Sequence, residues 1–189
     1  MKKLGDIAII SSGHTFRSRI DEDLNGNYFV IQVKDFGEDD QIQFDGLLKT
    51  KLESLNSKFL AKSGDILFRS RGTSTRASFV NDIIDENCVI ASPLLIIRLD
   101  TNQFLPEYIQ LVINHSASQR YFSRASQGSN IRMIDKETLE NLMIPLKSIS
   151  DQKNVIELNR FIQKEKVLMN QIVSKRQILL EGVFQKEKS

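Results

Sequence analysis

With one cysteine, Cys88, the chain cannot form an internal disulfide, and the apolar neighbours Val89 and Ile90 make a buried thiol the simplest expectation for it. The longest apolar run, residues 89–99, is interrupted by Arg98 and is far shorter than the ~20 residues needed to cross a bilayer, so no transmembrane helix is expected. The opening Met1-Lys2-Lys3-Leu4-Gly5-Asp6 has no long apolar segment and no small-residue cleavage site, which predicts a cytoplasmic protein that makes no membrane contact. Charge of one sign is also missing: 26 Lys and Arg stand against 24 Asp and Glu.

Catalytic signatures are absent as well. A phosphate-binding loop needs a second glycine and a lysine that Gly72-Thr73-Ser74-Thr75 does not supply, and there is no dinucleotide fingerprint. His14, Cys88 and His115 are the only soft metal-ligand candidates, and their spacing fits no zinc motif. No Gly-x-Ser-x-Gly elbow nominates a nucleophile. Asp151-Gln152-Lys153 has no upstream acidic partner that would build a nuclease metal site, and helix capping accounts for Asp151 better. A non-catalytic chain is expected, with no cofactor and no metal of its own.

What is present suits a packed core: 40% of the 189 residues are hydrophobic and 26% are charged, with both signs interspersed. The composition changes near 150. Residues 1–149 are close to neutral, whereas the tail is net basic, lacks proline and has the single glycine Gly182. These are the expected domain limits: a globular domain over 1–149 and a long helix within 150–189. Pro145 breaks what precedes, Ser148 or Ser150 can cap, and Asp151 suits the positive helix end, predicting a helix from about 151 to about 186.

That helix has a heptad seam. With a at Val155, Ile162, Met169, Arg176 and Val183, and d at Leu158, Glu165, Ile172, Leu179 and Lys186, seven of the ten positions are apolar. Phe161, Leu168, Val173 and Leu180 widen the stripe beyond a two-stranded seam. Some 36 residues would reach ~54 Å, more than a small body can cover, so pairing with another helix is expected over folding back on the chain's own domain.

Ahead of it, strands are expected over 7–11, 28–33, 65–69, 77–81 and 89–99, and helices over 106–114, 117–125 and 136–141. The elements do not alternate regularly, so the class is α+β and not a doubly wound parallel sheet.

Three basic, hydroxyl- and amide-rich stretches stand out. They are Gly13-His14-Thr15-Phe16-Arg17-Ser18-Arg19, residues 68–76 with Arg69, Arg71 and Arg76, and residues 120–132 with Arg120, Arg124 and Arg132. Arginine binds phosphate or a guanine edge through two parallel hydrogen bonds, Gln and Asn pair with adenine, and Ser and Thr hold the backbone. Sparse aromatics disfavour stacking on single strands, so duplex DNA is the expected ligand; the plain alternative is ordinary solvated loops. Arg71, Arg76, Gln127, Asn130 and Arg132 are the candidates for base or groove contacts, and Arg17, Arg19, Arg69, Ser74, Thr75, Arg120 and Ser129 for phosphates.

Several blocks, in order, resemble the DNA-specificity (S) subunit of type I restriction–modification systems. They are Lys3-Leu4-Gly5-Asp6-Ile7 with Ser12-Gly13, Lys62-Ser63-Gly64-Asp65-Ile66-Leu67-Phe68-Arg69-Ser70-Arg71-Gly72, and Ser92-Pro93-Leu94-Leu95-Ile96-Ile97-Arg98. Leu105-Pro106-Glu107-Tyr108-Ile109, Gln127-Gly128-Ser129, Leu142-Met143-Ile144-Pro145-Leu146 and Asp151-Gln152 follow. Lys147-Ser148-Ile149-Ser150 departs from the family in lacking a further proline. The resemblance implies a half-subunit, with one target-recognition domain and one spacer helix where full-length members carry two of each. It also implies an antiparallel coiled-coil homodimer, or pairing with another half S subunit, and recruitment of methyltransferase (M) and restriction (R) subunits. S-adenosylmethionine, ATP and Mg2+ would belong to those partners. The rival readings are a non-DNA adaptor that uses the helix to bind protein and, behind it, a small hydrolase.

Overall fold

The computed structural model describes residues 1–37, 40–72, 74–81, 87–126 and 132–186. In chain order the elements are β1 (Lys2–Lys3), β2 (Ala8–Ser12), β3 (Tyr28–Ile31), β4 (Leu48–Thr50), β5 (Ile66–Arg69), β6 (Arg71–Gly72), β7 (Ala77–Phe79), β8 (Cys88–Ile90) and β9 (Leu94–Leu99). They continue as α1 (Pro106–Asn114), α2 (Ser116–Ala125), β10 (Arg132–Met133), α3 (Lys136–Glu140), β11 (Met143–Ile144) and α4 (Ile149–Lys186).

A four-stranded antiparallel sheet, ordered β2-β9-β5-β7, lies at the centre. Its inner strands are apolar on both faces because both faces are covered. Side chains alternate along a strand, so Ile66, Phe68, Leu95 and Ile97 enter one core with Tyr108, Ile109, Ile113 and Phe122 of α1 and α2. Leu67, Leu94 and Ile96 enter a second core with Ile31, Val80 and Ile90. That second core is closed by the three-stranded sheet β4-β3-β8, in which β3 and β8 run parallel.

The apolar run 89–99, read from sequence as one strand, is two strands in two different sheets. The break falls at Ser92-Pro93, where proline offers no amide to a continuing ladder. Cys88 is buried at the start of β8, and its carbonyl accepts from Ala61 N at 2.8 Å.

α1 starts with Pro106 at its first position, where the missing amide costs nothing. α4 starts at Ile149, two residues ahead of the sequence estimate. Ser148, not Ser150, caps it: the Asp151 amide donates to Ser148 Oγ at 3.1 Å, and Ser148 Oγ donates to Asp151 Oδ2 at 2.7 Å.

The root of α4 is fastened by a buried glutamine. Gln152 is fully buried; its Nε2 donates to the carbonyls of Gln103 (2.8 Å) and Lys147 (3.0 Å), and its Oε1 accepts from Leu105 N at 2.8 Å. Ile156 is buried beside it, and Arg160 reaches Glu107 of α1 with two guanidinium nitrogens. Val155, assigned to the pairing seam by the heptad, is half-buried against its own domain. The free seam therefore begins at Leu158.

From there the apolar face is bare: Leu158, Ile162, Met169, Ile172, Leu179 and Val183 are each 44–70% exposed. At 38 residues, α4 is about 57 Å long. No helix among the described residues is long and apolar enough to cross a membrane.

Candidate nucleic-acid interface

The register of the central sheet decides where the basic stretches emerge. Ser12 pairs with Leu95, Arg69 with Leu94 and Phe68 with Ala77. The C-terminal ends of β2 and β5 and the N-terminal ends of β9 and β7 therefore share one edge. Residues 13–19 leave β2 there, and the chain passes from β5 to β7 at that same end. The opposite edge, where Ala8 pairs with Leu99, leads through residues 100–105 to the Gln152 anchor of α4. Loops and helix thus depart from opposite ends of one sheet.

Short polar links draw the stretches together. The first is tied to the turn between β8 and β9: Gly13 N donates to Leu94 O, His14 N to Ile90 O, and Ser92 N to His14 O, at 2.7–2.8 Å. A Cβ on Gly13 would lie 2.6 Å from Ile90 O, so this approach requires glycine. The second joins the same turn through Ser70 Oγ, which donates to Pro93 O at 2.5 Å.

The third stretch meets the second as a strand pair. β10 runs antiparallel to β6, with Arg132 opposite Gly72 and Met133 opposite Arg71, and Ile134 N donates to Ser70 O at 2.8 Å. Gln119 of α2 adds a clamp, its Nε2 donating to Thr75 O (2.9 Å) and its Oε1 accepting from Thr75 Oγ1 (3.3 Å). Asn114 brackets Ala77 in the same way, accepting from its amide and donating to its carbonyl, both at 2.8 Å.

These placements sort the sequence-predicted residues. Arg17, Arg19, Arg71 and Arg120 are exposed, and Arg71 Nη2 lies 3.1 Å from Met133 Sδ. Ser74 is half-buried. Arg132 contributes its backbone to β10, its side chain lying outside the described atoms, and Gln127, Ser129 and Asn130 lie outside the described residues.

Arg69 and Thr75 need correction as phosphate contacts, because a phosphate donor must reach solvent. The Arg69 side chain is 11% exposed; it donates to Asp40 and stands 5.0 Å from the centroid of Phe36. Thr75 is 1% exposed and holds Gln119.

Asp40 is a member of this candidate cluster that sequence reading missed. It is buried with φ of 62°, and its second oxygen accepts from Arg76 Nη1 at 2.6 Å. One carboxylate thus holds two guanidinium groups, which pins Arg76 at the loop base and leaves the cluster positive. In sequence Asp40 reads only as part of an acidic run, since its partners lie 29 and 36 residues away.

At the far edge Asp65 and Arg98 form a bidentate pair, both contacts at 2.8 Å, and Arg98 also donates to the carbonyls of Lys58 and Leu60. The Asp65 hydrogen bond holds the Arg98 guanidinium above its ordinary pKa. Among the described residues no group of three or more His, Cys, Asp or Glu side chains is placed to hold a metal ion.

This chain has relatives in sequence and in fold. It is 19% identical over 156 residues to the type I restriction enzyme MjaVIII specificity subunit of Methanocaldococcus jannaschii, a match covering 82% of this chain and 34% of that protein. The crystal structure of an HsdS subunit from Thermoanaerobacter tengcongensis shares the fold with a TM-score of 0.58 at 21% identity, over 87% of this chain and 37% of the other. A chain from a structure of type I restriction–modification complex assembly and conformational transition does so with a TM-score of 0.63 at 20% identity, over 89% and 39%. The chain therefore spans little more than a third of the length of the proteins it matches. A family model, the type I restriction modification DNA specificity domain, runs over residues 1–174. The chain, whose one sheet gathers basic loops at one end and roots a long helix at the other, thus belongs to the type I restriction modification DNA specificity domain family.

Proposed function

We propose that this chain is a half-sized specificity subunit of a type I restriction–modification complex. It reads one arm of a split target in double-stranded DNA and pairs through α4 with a second copy or with another half-subunit. The pair recruits M and R subunits, and catalysis with S-adenosylmethionine, ATP and Mg2+ resides in them. The observation that carries this reading is the polarity of the domain: three basic stretches meet at one edge of the central sheet, while a bare apolar helix leaves the other. Exposed apolar surface of that extent marks a protein interface, and exposed arginines on linked loops suit phosphate and groove contacts.

Two-fold pairing sets the domains at opposite ends of the helix pair, which gives two inverted half-sites and a gap measured by helix length. Co-expression with the cognate M subunit in a host free of competing systems, followed by single-molecule mapping of modified adenines, tests this. A split palindrome is expected from two identical copies, and a split asymmetric site from a mixed pair. No new methylation from an assembled complex would overturn DNA reading and favour the adaptor.

A further inference from the structure

We infer that Glu165 and Arg176 form a buried, reciprocal ion-pair layer that sets the register of an antiparallel pair of α4 helices from two copies of this chain. The inference rests on the pairing proposed above and adds which residues meet.

Glu165 and Arg176 interrupt the apolar seam at a d and an a position, and both are exposed in the single chain. Neither forms an ion pair with a described residue. In an antiparallel pair, each a position of one helix is level with a d position of the other. One register sets Ile162 level with Leu179 of the second copy, Met169 with Ile172, and Leu158 with Val183. The same register sets Glu165 level with Arg176. Two-fold symmetry repeats the contact, so each charged intruder meets its opposite.

The competing arrangements leave charges without partners. Sliding one heptad towards the root sets Met169 against Glu165 and Leu158 against Arg176. It also drives Val183 level with Asp151, where α4 is packed on its own domain through Gln152 and Ile156. Sliding one heptad the other way sets Ile172 against Arg176 and Val183 against Glu165. A parallel pair stacks Glu165 on Glu165 and Arg176 on Arg176. Burying an unpaired charge in a seam is strongly unfavourable, and a polar layer that must find its partner is a device for fixing register and orientation.

Gly182 points to the same register. It is the one glycine in α4, and among the described residues a Cβ there would meet nothing within 4 Å, so no described neighbour calls for glycine at a helix-weakening position. In the matched register Gly182 lies on the same flank of the seam as Phe161 of the second copy, two residues from level with it, and Phe161 is a 61% exposed aromatic. The missing side chain leaves room for that ring.

The test uses the full chain, measured by sedimentation equilibrium. Glu165→Arg sets arginine against arginine twice, and Arg176→Glu sets glutamate against glutamate. Each is expected to weaken self-association on the order of 100-fold, whereas the exchange Glu165→Arg with Arg176→Glu restores it to within about tenfold. Both side chains are exposed in the single chain, so its folding is not at stake. Register is read separately with Ile162→Cys and Leu179→Cys in one chain, mildly oxidised and mapped by mass spectrometry; the expected bridge joins 162 of one copy to 179 of the other. A bridge from 162 to 162, or a double exchange no better than the single ones, would overturn the ion-pair register and leave pairing intact. A chain that stays monomeric at every concentration overturns the register together with self-pairing, and leaves DNA reading to the methylation map.

Discussion

Arginines of the interface divide by what surrounds each guanidinium. Arg71 is exposed, and among the described residues its guanidinium meets the Met133 sulfur, which leaves it open to solvent and, on the proposed function, to a DNA groove. Arg71→Ala is expected to weaken binding of the target duplex and to lower the slope of log affinity against log salt by about one if the contact is a phosphate, or to relax one base position if it is a groove edge. Anisotropy titrations of the assembled complex at several salt concentrations separate the two; Arg132→Ala belongs in the same series. Arg69 is of the opposite kind. With Asp40→Ala its nearly buried charge loses its partner, which is expected to cost about 3 kcal/mol in urea unfolding, whereas Arg71→Ala leaves the midpoint unchanged. In sequence the two arginines are two residues apart and look alike. Only the fold says that one faces Asp40 and the other faces solvent.

Elements here are held by their ends. Gln152 is itself fully buried and ties one amide and two carbonyls of the segments beside the α4 root, so Gln152→Ala is expected to cost about 2–3 kcal/mol in denaturant unfolding. The start of α3 shows the same economy with a pH signature. Asp135 accepts from Thr138 N at 2.8 Å, and hydrogen bonding from the Thr138 side chain and amide holds its carboxyl below the ordinary 3.8. A folded-state pKa below the unfolded one gives stability that is present above pH 3.8 and is lost as pH falls through the folded value. Asp135→Asn keeps a capping oxygen and is expected to remove that acid-side dependence, while Asp135→Ala loses about 1 kcal/mol at neutral pH; thermal melts from pH 3 to 7 distinguish them. Helix limits were legible in advance because Pro106, Ser148 and Asp135 act on their immediate neighbours. The strand over 89–99 was misjudged because an apolar run says that its residues are buried, not which of two sheets buries them.

At the scale of the whole molecule, the proposed pairing makes helix length the distance between DNA contacts. Removing one heptad, residues 167–173, keeps the seam in phase and retains the Glu165 and Arg176 layer while shortening the span by about 10.5 Å. The preferred gap between half-sites is then expected to contract by about three base pairs at ~3.4 Å each. Methylome mapping of the deletion variant reads the gap directly, and an unchanged gap would refute the helix as ruler.

Sequence by itself determined the α+β class, the extents of α1 and the start of α4 to within two residues, the apolar seam and the family resemblance, because periodicity, caps and ordered motifs are local properties of the chain. It also singled out the basic stretches. Tertiary structure alone decided that they share one sheet edge, that Arg69 and Thr75 are buried among fold contacts, that Asp40 joins Arg69 to Arg76, and that Val155 packs on its own domain. The motif residues Asp65, Arg98 and Gln152 likewise proved to be clamps that hold the frame. Each of these depends on partners tens of residues apart, brought together by strand register and core packing, and a side chain's chemistry is set by the neighbour it meets.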